Sequence, residues 1–514
     1  MSNIKQLSPR KLAAQLIVPR LSIDEYSKNQ GYKNKIHELV KEGVGGFCIF
    51  GGSPQQVRHI IDDLQIMSEI PLIFCADLEN GLTMRLDNGT EFPHAMALGK
   101  SNNLEITEHV GSLIAKEAKL IGIHWNLAPV CDINSNPDNP VINIRSYGEN
   151  EEVVSNHSMA FIKGTQSEKC LSCAKHFPGH GDTDIDSHIG LPFVDKSIEN
   201  LENEEIMPFS KAIKNNVRSI MISHLSVSAL DNSGKPASIS KPVIDYLKNI
   251  LGYKGIILTD ALDMKAITER YNSGDATIEA FRAGNDIILM PENPIEAINA
   301  LANELELNSE QYRQASDSAE KLYKAKQWCG ITLPIIGFEQ KTLEHYAMQH
   351  QRIALEAAEP AVRIKGNLDI FPLPENKEIA GFTFVFGDEM DKGVLFFKML
   401  AQAVENDIHF GFMNDTISDE ELNKFVEELK LTDIIIFCFF VKGKANQKRI
   451  EVTDRINEII RKLSKDKVMI TIIFGNPYLD NKLDDSNIVY TYSDSLPSIA
   501  AAVMKLSGRT ANVN

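Results

Sequence analysis

The densest set of chemically capable side chains in this 514-residue chain is KHFPGHGDTDIDSHIGLP, residues 175–192. His176, His180 and His188 share it with Asp182, Asp184 and Asp186, and Pro178, Gly179 and Gly181 interrupt any regular helix or strand. The composition predicts a long loop leaving a strand that ends at Lys175–His176. Within the loop, Asp186 stands two residues before His188. At that spacing a carboxylate can accept the imidazole Nδ1–H and raise the basicity of the ring, as in a general acid/base. A solvated histidine beside a turn aspartate is the plainer reading of the same pair. A metal site on His176, His180, Asp182 and His188 is a third, although the spacings match no common ligand pattern.

Three other segments carry chemistry. In GIILTDALDM (255–264), Asp260 ends an apolar run, where a carboxylate can attack an electrophilic carbon and form an ester. Asp263 reads as a helix-start cap. In ADLENGLTMRL (76–86), Asp77 ends a run, Glu79 follows, and Arg85 lies eight residues beyond Asp77. A carboxylate and a guanidinium suit adjacent sugar hydroxyls or a ligand carboxylate. Arg145 sits in NPVINIRSYGE (139–149), a loop. Taken singly, the charged residues of these last two segments are more often surface ion-pair residues.

Something must bring these segments together. Short apolar runs alternate with amphipathic stretches over the first two-thirds: 45–52, 71–77, 125–132, 171–176, 219–224, 255–260 and 286–291, with 13–20 as an eighth. Such alternation implies parallel strands. About eight units in roughly 330 residues suit a (β/α)8 barrel, a TIM-like fold. An open doubly wound sheet is the alternative, without a G-x-G-x-x-G or P-loop pattern to support it. Five runs end in polar residues: Asp77, Asp132, Lys175–His176, His224 and Asp260. In a parallel barrel those ends share one rim. The expected organisation is a barrel over 1–335, a linker and wrapping helix over 336–378, and a smaller open α/β sandwich domain over 379–514.

Composition narrows the partners. Lys+Arg is 53 and Asp+Glu is 70, a formal charge of −17, so phosphate backbones and anionic lipid are repelled. Neither nucleic acid nor membrane is expected as a partner. No apolar run reaches the length of a membrane-spanning helix. Residues 1–21 lack a sustained apolar stretch, and the seven scattered cysteines fit reduced thiols, so the expected location is cytoplasmic. Cys170 and Cys173 form a C-x-x-C that reads as buried structural thiols.

Together, KHFPGHGDTDIDSH and ILTDALDM resemble glycoside hydrolase family 3, in its bacterial β-N-acetylglucosaminidase (β-N-acetylhexosaminidase) form. TEFPHAMALG (90–99), MISHLSVSALD (221–231) and AGNDIILMPENP (283–294) fit in order, and the likeness covers about 8–330. The resemblance implies that Asp260 is the nucleophile, that His188 is the general acid/base with Asp186 as its partner, and that Asp77, Arg85, Arg145, Lys175 and His176 bind sugar. It implies a retaining, two-step, metal-free and cofactor-free release of terminal N-acetylglucosamine from a small oligosaccharide, a cell-wall muropeptide or a chitin fragment. A glycoside phosphorylase on the same scaffold is the alternative; a β-glucosidase or a silent sugar-binding protein is less expected. One departure stands out. Where the family reads E-G-G-R, this chain has Glu79-Asn80-Gly81-Leu82, so one arginine is missing.

Overall fold

The computed structural model describes residues 7–183, 190–331, 340–374, 377–385, 390–441, 452–483 and 487–509. The chain forms two compact units: residues 1–90 with 103–350, and residues 91–102 with 351–514.

The first unit is built on β1 (Ile17–Val18), β2 (Arg20–Ser22), β3 (Gly46–Phe50), β4 (Ile73–Ala76), β5 (Trp125–Asn126), β6 (Leu171–Phe177), β7 (Phe193–Val194), β8 (Ser219–Ile222), β9 (Ser226–Val227), β10 (Ile256–Thr259) and β11 (Ile288–Leu289). Strands β2, β3, β4, β5, β6, β8 and β10 lie side by side in that order, every pair parallel. A parallel bridge from Leu258 to Ile287 carries the ladder toward β11, and β11 pairs with β1. Because β1 and β2 are one run broken at Pro19, which has no N–H to give, the ring closes as an eight-position barrel. Strands β7 and β9 form a small separate pair.

Barrel closure explains the apolar runs. Side chains from one face of each strand fill the interior, among them Val18, Cys48, Cys75, Trp125, Cys173, Leu258 and Leu289. All seven cysteines are buried thiols without a disulfide. The expected first run is shorter than 13–20, because Ala13–Gln15 complete a helix (Pro9–Gln15) capped by the Ser8 hydroxyl.

The second unit is a doubly wound sheet of β12 (Arg363–Lys365), β13 (Ile379–Phe384), β14 (His409–Met413), β15 (Ile434–Val441), β16 (Val468–Gly475) and β17 (Ile488–Tyr490), in the order β12-β17-β16-β15-β13-β14. Only β12 runs antiparallel. Residues 363–365 were expected in the linker. A three-residue edge strand with two exposed charged residues leaves no apolar run to read. Residues 91–102 were expected in the barrel. They group with the second unit, where Glu91 Oε2 accepts the Leu496 N–H (2.8 Å) and Ser493 Oγ accepts the His94 N–H (3.1 Å). Neither contact is visible in local sequence. Among the described residues, no helix is long and apolar enough to cross a membrane.

On the barrel exterior, helices Leu104–Leu120 and Glu151–Ser167 cross where glycine permits close approach. A Cβ on Gly164 would lie 1.8 Å from the Glu108 carbonyl oxygen. Alanine at a helix-interior glycine normally adds about 1 kcal/mol, whereas forcing packed helices apart costs about 1–3 kcal/mol. Gly164→Ala is therefore expected to lower the midpoint of thermal unfolding; an unchanged or higher midpoint would show that the crossing yields without cost.

Candidate active site

Because neighbouring barrel strands are parallel, their C-terminal ends open on one rim. Asp77 follows β4, Lys175 and His176 lie near the end of β6, His224 follows β8, and Asp260 follows β10. Asp132 lies beyond β5, next to a bridge between Val130 and Lys175.

Four of the sequence-predicted residues meet in one buried charge network. Lys175 Nζ donates to Asp77 Oδ1 (2.7 Å) and pairs with Glu79 Oε1 (2.8 Å). Arg85 Nη2 donates to the other Asp77 oxygen, Oδ2 (2.5 Å). Arg145 donates through Nη2 to Glu79 Oε1 (2.8 Å) and through Nε to Oε2 (2.9 Å), a bidentate fork. Arg145 is set for this by the short 3-10 turn Asn143–Arg145, and its Nη1 donates to the Val141 carbonyl (3.2 Å).

Burial would push both carboxyls up, but the cations outweigh it. Lys175 and Arg85 hold Asp77, and Arg145 and Lys175 hold Glu79, well below the usual carboxylate range. Three cations thus face two carboxylates. Arg85 Nε is buried and makes no hydrogen bond among the described residues, so it keeps a donor to offer.

Local sequence assigns Glu79 no role and Arg145 no partner. Glu79 pairs with Arg145, 66 positions away, and with Lys175, links that no local spacing signals. From sequence, Asp132 is only a strand-end residue. It is fully buried and accepts from His176 Nδ1 (2.7 Å), from the His176 N–H (3.1 Å) and from the His180 N–H (2.8 Å). Burial raises its carboxyl, but His176 and His180 outweigh this and hold it below its ordinary value. An ionised carboxylate at Nδ1 orients the His176 ring and leaves Nε2 for a ligand.

Asp260 accepts the Ala261 N–H on Oδ1 (2.8 Å), and its own N–H donates to the Ile222 carbonyl (2.8 Å). Burial raises the carboxyl, while His176, His224, the Ala261 N–H and Lys175 together lower it below its ordinary value. It is therefore ionised at neutral pH, and Oδ2 has no hydrogen-bond partner among the described residues. His224 Nε2 lies 2.9 Å from the Ala261 carbonyl, which can only accept, so Nε2 carries the proton there.

The remaining sequence-predicted residues fare differently. Asp186 and His188 lie outside the described residues. The expected helix cap at Asp263 is not formed. Its carboxylate takes both Nη2 (2.8 Å) and Nε (3.2 Å) of Arg20, and the helix Lys265–Thr268 starts at Met264 without a side-chain cap. For the metal reading, His180 Nδ1 is engaged by Thr183 Oγ1 (2.9 Å) and Asp182 by Lys196 (3.1 Å). Burial lowers His180 to about 4, so the ring is neutral. Among the described residues, no three His, Cys, Asp or Glu side chains are grouped to hold a metal. At the departure from the family pattern, Leu82 is fully buried.

Breaking a buried charge pair costs more than forming it contributes, because the orphaned partner stays desolvated. Glu79→Gln leaves Lys175 and Arg145 short of one negative charge. It is expected to destabilise the chain by about 3–5 kcal/mol, read as a lower midpoint of urea unfolding; a parental midpoint would mean the network carries no stability.

The pattern of the glycosyl hydrolase family 3 N terminal domain matches residues 10–324. The chain is similar to beta-hexosaminidase A of Pseudoalteromonas piscicida, at 34% identity over 381 residues, 67% of this chain and 63% of that protein. It thus spans less than two thirds of that relative's length. A glycoside hydrolase family 3 beta-N-acetylglucosaminidase from Paenibacillus sp. str. FPU-7 superposes with a TM-score of 0.84 at 26% identity, over 98% of this chain and 97% of that one. A beta-glucoside phosphorylase shares the fold, with a TM-score of 0.86 at 21% identity over 99% and 93% of the two chains. With more than half of its length matched by the domain pattern, the chain belongs to glycosyl hydrolase family 3.

Proposed function

We propose that the chain is a retaining exo-β-N-acetylglucosaminidase acting on cell-wall-derived or chitin-like oligosaccharides. The observation that carries this reading is Asp260: a carboxylate held ionised at a strand end in the field of His176, His224 and Lys175, with one oxygen that has no hydrogen-bond partner among the described residues. Asp77, Arg85, Arg145, Lys175 and His176 are assigned to the terminal sugar. Their forked and point-charge donors suit ring hydroxyls, and the carboxylate of Asp77 can accept from them. The similarity to relatives named for hexosaminidase and N-acetylglucosaminidase activity supports the sugar.

In the proposed reaction an Asp260 oxygen attacks the anomeric carbon. The bond to the leaving oxygen breaks as His188, oriented by Asp186, gives that oxygen a proton. The product is a sugar ester on Asp260, formed with inversion. In the second step His188 takes a proton from water, the water oxygen attacks the same carbon, and Asp260 leaves as a carboxylate. The two inversions retain configuration. An imidazole with an ordinary pKa of about 6.5 can serve as acid and then as base near neutrality. The proposed setting is the cytoplasm, with recycled cell-wall sugar as one source of substrate.

A 2-fluoro slow substrate is expected to leave a sugar ester on Asp260, detected by mass spectrometry of the peptide. A chain with no adduct, while aryl N-acetylglucosaminide is still turned over, would remove the covalent mechanism. Asp260→Asn should lower kcat by at least about 10³-fold. Adding phosphate should leave free N-acetylglucosamine as the product; a sugar 1-phosphate would reassign the acceptor.

The pH profile of kcat/KM follows from the same assignments. Asp260 must be ionised, and its carboxyl lies below its ordinary value, so the acid limb should fall below about pH 4. The alkaline limb should follow loss of the His188 imidazolium proton and vanish in His188→Ala. An acid limb near neutrality would contradict an ionised nucleophile.

A further inference from the structure

We infer that Phe50 is a positioning residue for Arg85, setting the plane in which that guanidinium meets the sugar. Phe50 ends β3, and its ring packs on the barrel's core cluster. Two guanidiniums lie over this ring: Arg20, with its central carbon 4.1 Å from the centroid, and Arg85, at 5.0 Å. Each has its own carboxylate, Asp263 for Arg20 and Asp77 for Arg85, so the two like charges can share one aromatic neighbour. The main chains are joined as well: the Gly51 N–H donates to the Arg85 carbonyl (3.0 Å), and the Asp87 N–H donates to the Gly52 carbonyl (3.1 Å).

A guanidinium is flat, and its donors lie in one plane. Among the described residues, Arg85 makes a single side-chain hydrogen bond, from Nη2 to Asp77, and Nε has no partner, so that bond alone leaves the plane free to roll. Among the described residues, the Phe50 ring is placed to fix the roll, because a cation over an aromatic face is held by the ring's quadrupole as well as by contact. Arg20 extends the arrangement: through Asp263 it ties the same ring to the segment three residues beyond Asp260. Phe50 thereby couples the arm that carries Arg85 to the loop that carries Asp260. Phe50 carries no polar strand-end signal in the sequence, because it is an apolar strand end.

This inference rests on the proposed role of Arg85 in sugar binding, and the test separates the two. Steady-state kinetics on an aryl N-acetylglucosaminide are measured for Phe50→Leu, Phe50→Met, Phe50→Tyr and Arg85→Lys. Leu and Met keep apolar bulk but remove the ring face; each should raise KM about 3- to 30-fold, with kcat and both pH limbs close to the parent. Tyr keeps the ring face and should keep the parental KM. A parental KM in Leu or Met, or a Tyr variant as impaired as Leu, overturns the inference. If Arg85→Lys raises KM while Phe50→Leu does not, the role of Phe50 falls and that of Arg85 stands. If Arg85→Lys leaves KM unchanged, the sugar-binding assignment falls, and the inference with it.

Discussion

A carboxylate buried at the mouth of a barrel stays ionised only if cations are held against it, and this constraint organises the rim. Asp77 and Glu79 come from one loop after β4, Arg85 from the same loop, Lys175 from β6, and Arg145 from the connection beyond β5. Remove the cations and burial would neutralise both acids; remove the acids and the lysine, 2% exposed, would be an isolated buried charge. The network therefore exists only when β4 and β6 are already in place. In return, it keeps hydrogen-bond donors in fixed directions without waiting for a ligand to organise them.

The same logic runs through the second pair of groups. Asp132 gathers two backbone N–H groups and the His176 ring, fixing both the ring and the stem of the 175–183 segment. Asp260 is kept charged by His176 and Lys175 from β6 and His224 beyond β8, together with the Ala261 N–H of its own loop. Ionisation at this rim is thus a collective property of β4, β6, β8 and β10, and the apolar interior beneath supplies the low-dielectric floor that makes each charge felt.

The second unit is a separate solution to burying a sheet. Its parallel strands are covered on both faces, and the apolar runs at 379–384, 434–441 and 468–475 were readable for that reason. Strands β12, β14 and β17 were not. They are short or lie at the sheet's edges, and β14 carries an exposed histidine and three half-buried residues, so none offers a clean run. The grouping of 91–102 with this unit depends on hydrogen bonds across some 400 residues of chain, which composition cannot anticipate.

What the residues determined alone is the barrel and its polarity. Repeated apolar runs with polar C-terminal ends force parallel strands and a single chemically rich rim, because every strand must point the same way. The pairing of Asp77 with Arg85 was also within reach, since both lie in one eight-residue arc. Tertiary structure decided which charges meet. Glu79 finds Arg145 66 positions away and Asp132 finds His176 44 positions away; Asp263 turns from a local cap to Arg20, 243 positions distant. Phe50 gains two cations through the same closure. Partners of that kind are chosen by which strand ends become neighbours when the ring shuts, and that choice is made in space, not along the chain.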